Sequence, residues 1–328
     1  MKKISTIKKI VLISFVVFAF YLGNLMFFPH AIPNGSYRLI VDKNETITSI
    51  TNELKQNNII PNAYALKLLL RVLREDRKVA AGMYILRGSM STWGIAERIT
   101  NGSPDQISVS IIEGWSFEQL RNYINKIDHI QHITESYTED ELKNSLKINW
   151  PNLEGAFYPS TYFVAPNQTD LEIYQQSHRL LLTKLDELYN HRESNTVYGT
   201  PYQLLIMASL IQKETAKVED MYMVSAVFNN RIRKKMNLQD DPAVFYGLKN
   251  QNKITRKDFQ IDTPYNTYLH FGLPPTPICI PSPNALLAAS KPLNDHDVLY
   301  FVAIGEGKTK FSKSYKEHKS AIHKYLKK

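Results

Sequence analysis

The sequence predicts an α+β protein that begins with a single transmembrane helix. An uncharged apolar stretch runs from Ile10 to Phe28. After it, β-rich runs alternate with helical periods in short units, and the second half of the chain places helical segments before a buried strand at 298–304. Short strands and helices mixed in this way are typical of the α+β class.

The N-terminal stretch is predicted to be an uncleaved anchor. As a helix, its 19 residues would reach roughly 28 Å, which is enough to cross the hydrocarbon core of a membrane. Pro29 follows it instead of the small-residue cleavage site of a signal peptide. Four lysines precede it and none follows directly, so the N-terminus is expected in the cytoplasm and the rest of the chain outside. These lysines are Lys2, Lys3, Lys8 and Lys9.

The composition excludes several other classes of protein. With 328 residues, 43% of them hydrophobic, the chain has room for about two domains but too little apolar material for several membrane spans. Part of the net charge of +9 precedes the anchor, and the diffuse remainder fits an anionic polymer better than nucleic acid. Cys279 is the only cysteine, which excludes an internal disulfide. His270 and His318 lie far from other ligand types, so no metal or other cofactor is predicted.

A pattern of β-rich run, turn residue, cap and helical period recurs after a short linker at 29–36. The runs start at Tyr37, Gly82 and Ile107. The predicted turn residues are Asn44, Gly88 and Gly114, and the predicted N-caps are Thr46, Ser91 and Ser116. The pattern predicts small α+β modules over 37–125, although chance similarity of common strand–turn–helix sequences explains it as well.

Glu214 is the candidate catalytic residue. Pro201 begins a helical segment on which Met207, Ile211 and Glu214 fall within one apolar arc. Burial there raises the pKa of a carboxyl group, as a general acid requires. The spacing fits equally well a half-solvated glutamate at a helix end that pairs with Lys217.

Seven motifs follow one another in the second half of the chain. They are ASLIQKET (208–215), FNNRI (228–232), LQDDP (238–242), YG (246–247), TPYNTY (263–268), GLPPTPI (272–278) and LYFVA (299–303). In this order and spacing they resemble the motifs of the endolytic murein transglycosylases, also called the MltG or YceG-like family. The segment EGAFYPSTY at 154–162 and the N-terminal span fit that family as well. The sequence departs from the family pattern at Gln212, Asp240, Ser160 and Thr309.

The resemblance implies lytic cleavage of peptidoglycan. Glu214 would protonate the glycosidic oxygen between N-acetylmuramic acid and N-acetylglucosamine, then accept the proton of the muramic C6 hydroxyl as that oxygen closes onto C1. The product is a 1,6-anhydro end, and cutting within nascent strands limits their length. The resemblance further implies an association with peptidoglycan synthases (penicillin-binding proteins). The implied domains are an anchor at 1–28, the linker at 29–36, a LysM-like module at 37–110 and an extracytoplasmic catalytic domain at 111–328.

Candidate substrate-binding residues lie in the motifs after Glu214. Tyr265, Asn266, Thr267 and Tyr268 form a loop of hydrogen-bonding groups and flat rings that suits a pyranose. Gln239 and Tyr246, in neighbouring motifs, are also predicted to bind substrate.

Asp241 either caps the helix that Pro242 starts or lies near the sugar. Two rival functions of the whole protein also remain open. If Asp241 or Glu154 supplies a second carboxylate, the enzyme would be a hydrolytic muramidase. A wall-binding protein without activity would keep the same scaffold.

Overall fold

The computed structural model describes residues 2–42, 45–75, 78–249, 255–305 and 308–326, and only the backbone of 2–10. The regular elements among these residues are helices and two-stranded sheets, which confirms the α+β class. The chain divides into two compact units. One runs to Ser108 and includes Phe163–Gln168, and the other comprises Val109–Tyr162 and the chain from Thr169 onward.

The N-terminal unit begins with a long helix, as predicted. Its elements are α1 (Lys2–Phe27), β1 (His30–Val41), α2 (Ile47–Gln56), α3 (Ala63–Val72), β2 (Gly82–Met90) and α4 (Thr92–Thr100). Among the residues whose side chains are described, no helix is both long enough and apolar enough to cross a membrane. The side chains of Lys2, Lys3, Lys8, Lys9 and Ile10 lie outside that set.

The segment expected as a linker at 29–36 is mostly strand. β1 pairs antiparallel with β2, from His30↔Met90 to Val41↔Gly82, with an irregularity between Ala31 and Ser36. Pro33 and Gly35, two of the residues that suggested a linker, lie in that irregularity. A strand tolerates them there because residues in a bulge need not join the hydrogen-bond ladder. Apolar side chains from this sheet and from α2, α3 and α4 form one core, including Leu39, Leu54, Leu66, Leu70, Tyr84 and Ile95.

The predicted helix caps are confirmed. Thr46 accepts a hydrogen bond from the Ser49 amide, and Ser91 accepts one from the Gly94 amide. Ser116 starts α5 (Phe117–Ile124) with a complete capping box. Asn44, the first predicted turn residue, lies outside the described residues.

The three strands of the recurring pattern do not share one sheet. β1 and β2 pair with each other, whereas β3 (Ile107–Ser110) pairs with β4 (Thr161–Val164). The third run therefore has a different partner from the first two.

The second unit is built around one central helix, α8 (Pro201–Glu214). Besides α5, its other helical segments are α6 (Glu139–Leu146), α7 (Asp170–Asn190), α9 (Val218–Arg233), α10 (Asp241–Gly247), the 3₁₀ turn Asp258–Gln260, α11 (Pro283–Ser290) and α12 (Tyr315–Tyr325). α8 packs against α7, α9, α10 and α11. Every residue from Leu204 to Ile211 is buried, so this helix has no solvent face along its middle turns.

A hairpin completes this unit. β5 (Tyr300–Ala303) and β6 (Thr309–Ser312) pair antiparallel, with Tyr300 opposite Ser312. The strand expected to be buried at 298–304 is shorter and only partly buried. It belongs to a two-stranded sheet, and Phe301, Val302 and Ala303 border a cavity.

Candidate active site

Glu214 is the last residue of α8. Thr200 caps the start of the helix, and the backbone turns extended at Thr215. The burial of the preceding turns fixes the helix, so its final residue projects from a rigid support. Glu214 is half-buried, at the edge of a cavity of about 310 Å³. The alternative pairing with Lys217 is not observed, since the Lys217 ammonium lies 3.9 Å from Asp220 Oδ1.

The cavity collects polar groups that are far apart in the sequence. α8, α9, the segment before α10, the β5–β6 hairpin and α12 all contribute to its wall. The polar side chains that line it include Glu214, Arg231, Gln239, Asp241, Tyr268 and His318.

Burial governs the protonation of Glu214. Loss of hydration raises the pKa of its carboxyl group above the ordinary value, and the negative charge of Asp241 acts in the same direction. A hydrogen bond with Asp240 and the positive charge of Arg231 oppose the rise. The resulting raised pKa is the property a general acid needs to retain its proton.

Arg231 joins three parts of the site. Its guanidinium donates to the carbonyl of Leu299 at 2.7 Å, to that of Leu238 at 2.8 Å and to Gln239 Oε1 at 3.3 Å. It is almost fully buried, so its charge acts on Glu214 with little screening by solvent. This residue belongs to the FNNRI motif, but the sequence alone predicts no role for it, because its burial depends on segments that are distant in the sequence.

The segment before α10 has a strained turn. Gln239 adopts a φ of 52°, which non-glycine residues rarely occupy. Its amide donates to the carbonyl of Thr267 at 3.1 Å. The turn directs the Gln239 and Asp241 side chains to the cavity while Asp240 is fully buried.

The helix cap is Asp240, not Asp241. Asp240 Oδ2 accepts from the Ala243 amide at 2.8 Å, and Asp241 is the first residue of α10. The Tyr268 hydroxyl donates to Asp241 Oδ1 at 2.5 Å. Of the two roles considered for Asp241, the structure therefore rules out capping and places the side chain in the same cavity as Glu214.

Four of the predicted binding residues lie away from the cavity wall. Tyr246 and Tyr265 pack edge to face, with ring centroids 5.0 Å apart. Asn266 is buried and donates to the carbonyls of Phe259 and Ile261. Thr267 is buried and hydrogen-bonds the backbone of Asp240 on both sides, accepting at 2.8 Å and donating at 3.2 Å.

Glu154 occupies a separate buried position. Its Oε1 accepts from the Phe117 amide at 3.0 Å. Burial raises its pKa to about 7, against the opposing effect of that bond and of a hydrogen bond with Tyr246. It is not among the residues that line the cavity at Glu214.

The sequence profile of the YceG-like family matches residues 39–324. The chain belongs to this family. Relatives named endolytic murein transglycosylase occur in Bacillus subtilis strain 168, at 30% identity over 90% of this chain and 84% of the relative, and in Streptococcus pneumoniae strain D39, at 29% over 75% and 50%. The chain thus spans about half the length of the pneumococcal relative.

A solved structure shares the fold. A YceG-like protein from Listeria monocytogenes, solved by crystallography at 2.6 Å, is 27% identical and superposes with a TM-score of 0.54. The match covers 87% of this chain and 98% of the other.

Proposed function

We propose that this chain is an endolytic peptidoglycan lytic transglycosylase in which Glu214 is the catalytic acid and base. The observation that carries the proposal is a half-buried carboxyl with a raised pKa, held at the end of a rigid buried helix in a polar cavity. The names of the relatives from Bacillus and Streptococcus support the reaction class.

The reaction uses the same carboxyl twice. Glu214 donates its proton to the glycosidic oxygen between N-acetylmuramic acid and N-acetylglucosamine as that bond breaks. The carboxylate then takes the proton of the muramic C6 hydroxyl, whose oxygen bonds to C1 and leaves a 1,6-anhydro end. The C6 hydroxyl is already part of the substrate, so its high effective concentration removes the need for a bound water. Cleavage within nascent strands limits their length.

Three of the candidate binding residues stand in a position to contact the sugar. Gln239, Asp241 and Tyr268 line the cavity with Glu214. The Tyr268–Asp241 hydrogen bond orients both groups. Asn266 and Thr267 use their hydrogen-bonding groups within the protein, so their role in the proposal is to shape the loop. Tyr246 and Tyr265 pack against each other, so their role in the proposal is structural.

One observation favours a rival. Asp241 shares the cavity with Glu214, and a pair of carboxylates is what a hydrolytic muramidase requires. The products separate the two reactions: a lyase leaves anhydro ends, whereas a hydrolase leaves reducing ends.

Mass spectrometry of sacculi digested by wild type and by Glu214→Gln tests the proposal. Wild type is expected to release anhydro-muropeptides, and the variant is expected to lose at least about a hundredfold in rate, the contribution of general acid–base catalysis. Reducing ends from wild type would favour the hydrolase. Equal glycan release by both proteins would favour a binding protein without activity.

The proposal includes the place of the enzyme in the cell. Residues 1–28 form a single-pass anchor in the cytoplasmic membrane with the N-terminus inside. Residues 37–110 belong to a LysM-like module whose first strand already begins at His30, and 111–328 form an extracytoplasmic catalytic domain. This geometry suits an enzyme that works on nascent strands beside penicillin-binding proteins. Protease treatment of spheroplasts should degrade the catalytic domain, and carbonate extraction should leave the chain in the membrane fraction.

A further inference from the structure

Asp240 is a buried acid that the proposed reaction does not use. It is fully buried and does not line the cavity. The Thr267 hydroxyl accepts a hydrogen bond from the Asp240 amide and donates one to the Asp240 carbonyl. The Ala243 amide donates to Asp240 Oδ2. The carboxyl group therefore has one fixed orientation.

Oδ2 of Asp240 already accepts from the Ala243 amide, which leaves Oδ1 as the oxygen available to Glu214. The two carboxyl groups lie within hydrogen-bonding reach of each other. Over the described part of the chain, Asp240 Oδ1 meets neither an N–H nor a hydroxyl donor. Two carboxylate oxygens cannot form a hydrogen bond without a proton between them, so this pair must hold one.

The charges around Asp240 favour keeping that proton on it. Complete burial and the nearby acids Glu214 and Asp241 disfavour a negative charge, and its pKa is raised well above the ordinary value. Glu214 differs because it reaches the cavity and feels the Arg231 cation. The titratable groups that act on or respond to Asp240 are Glu214, Asp241, Tyr268 and Cys279, and the cation beside the pair is Arg231.

We infer that Asp240 is held as the neutral acid and donates its O–H to the Glu214 carboxylate, which makes it a positioning residue for the proposed reaction. When Glu214 gives its proton to the glycosidic oxygen, the Asp240 O–H stabilises the anion left behind. When Glu214 takes the C6 hydroxyl proton, that bond returns to its starting state. Asp240 keeps its own proton throughout, so the transfers balance on Glu214 and the sugar alone.

Substitution by asparagine and alanine separates a neutral Asp240 from an ionised one. In Asp240→Asn the side-chain oxygen must accept from the Ala243 amide, because an NH₂ group cannot accept. The NH₂ group then faces Glu214 and replaces the O–H donor. Both asparagine and aspartate are good N-caps, so this variant is expected to fold.

The measurement is the alkaline limb of kcat/KM for release of anhydro-muropeptides by the full chain. A neutral Asp240 lowers the pKa of Glu214 through its hydrogen bond, so Asp240→Ala should move the limb to higher pH by about one unit, and Asp240→Asn should leave it near the wild-type position. KM should stay close to that of wild type, since Asp240 does not reach the cavity. An ionised Asp240 would give the opposite sign, with both variants moving the limb to lower pH, and would overturn the inference.

Asp241→Asn is the matched control. The charge of Asp241 raises the pKa of Glu214, so its removal should move the limb to lower pH, opposite to Asp240→Ala.

A second readout does not need activity. Carbon-13 NMR of chain labelled at the aspartate carboxyls, assigned by comparison with Asp240→Asn, should show Asp240 protonated at pH 7. An ionised signal there would overturn the inference even if the enzyme is active. The inference rests on the proposed function, and an inactive wild type with a protonated Asp240 would instead count against that function alone.

Discussion

Glu154 should make the stability of the protein depend on pH in a direction unusual for a glutamate. Burial raises its pKa from the ordinary 4.5 to about 7, so the folded chain binds its proton more tightly than the unfolded chain. The stabilisation is present in full below about pH 4.5 and is lost as pH rises towards 7. The displacement corresponds to about 3 kcal/mol lost from the free energy of unfolding.

Glu154→Gln tests this magnitude. Glutamine keeps an oxygen for the Phe117 amide but carries no charge, so the variant should be more stable than wild type at pH 8, by up to about 3 kcal/mol, and close to wild type at pH 4.5. Urea unfolding followed by tryptophan fluorescence at a series of pH values gives the difference.

Glu141→Gln provides the control for that series. Glu141 is an exposed glutamate whose pKa is lowered by hydrogen bonds from Thr138. Its replacement should leave the loss of stability between pH 5 and 7 unchanged. If Glu154→Gln were equally destabilising at pH 4.5 and pH 8, the reasoning from burial would be refuted.

Three further predictions concern buried groups of the second unit, and one of them has its control in the N-terminal unit. Arg231→Lys should lower kcat/KM for muropeptide release by about tenfold or more. The reason is that one ammonium group cannot replace a guanidinium that donates to the carbonyls of both Leu299 and Leu238. An unchanged rate would contradict the role given to Arg231. Gly155→Ala should lower the free energy of unfolding by about 2 kcal/mol in thermal denaturation, since φ is 68° and the new Cβ would lie 2.7 Å from Pro277 Cβ. Gly88→Ala, with φ of 69° and open space around it, should cost less, and equal losses would count against the clash. Cys279 should resist iodoacetamide in the native chain and react in urea, as judged by mass spectrometry, because burial raises the pKa of its thiol; modification of the folded chain would contradict its burial.

Helix α8 agrees with the sequence-based prediction at its last residue and differs from it along its middle turns. An apolar arc through Met207 and Ile211 singled out Glu214, and the residue does lie at the cavity. The helix, however, is buried on all sides from Leu204 to Ile211, so the arc does not mark a boundary with solvent. Polar residues on other faces of α8 are used by the core: Ser209 Oγ accepts from the Ile278 amide, and Gln212 Oε1 accepts from the Ser282 amide.

The sequence by itself determined the features that depend on near neighbours. Thr46, Ser91 and Ser116 cap their helices through amides three residues away, and such contacts form within one turn whatever the rest of the chain does. The ordered motifs likewise identified the family.

Only the tertiary structure decided the environment of Glu214. Asp240, Arg231 and Tyr268 come from other elements, and their distances to one another depend on how α8, α9 and the loop at 263–268 pack. Burial, which sets the pKa of each carboxyl group, is a property of that packing, because it depends on which distant segments exclude water from the group.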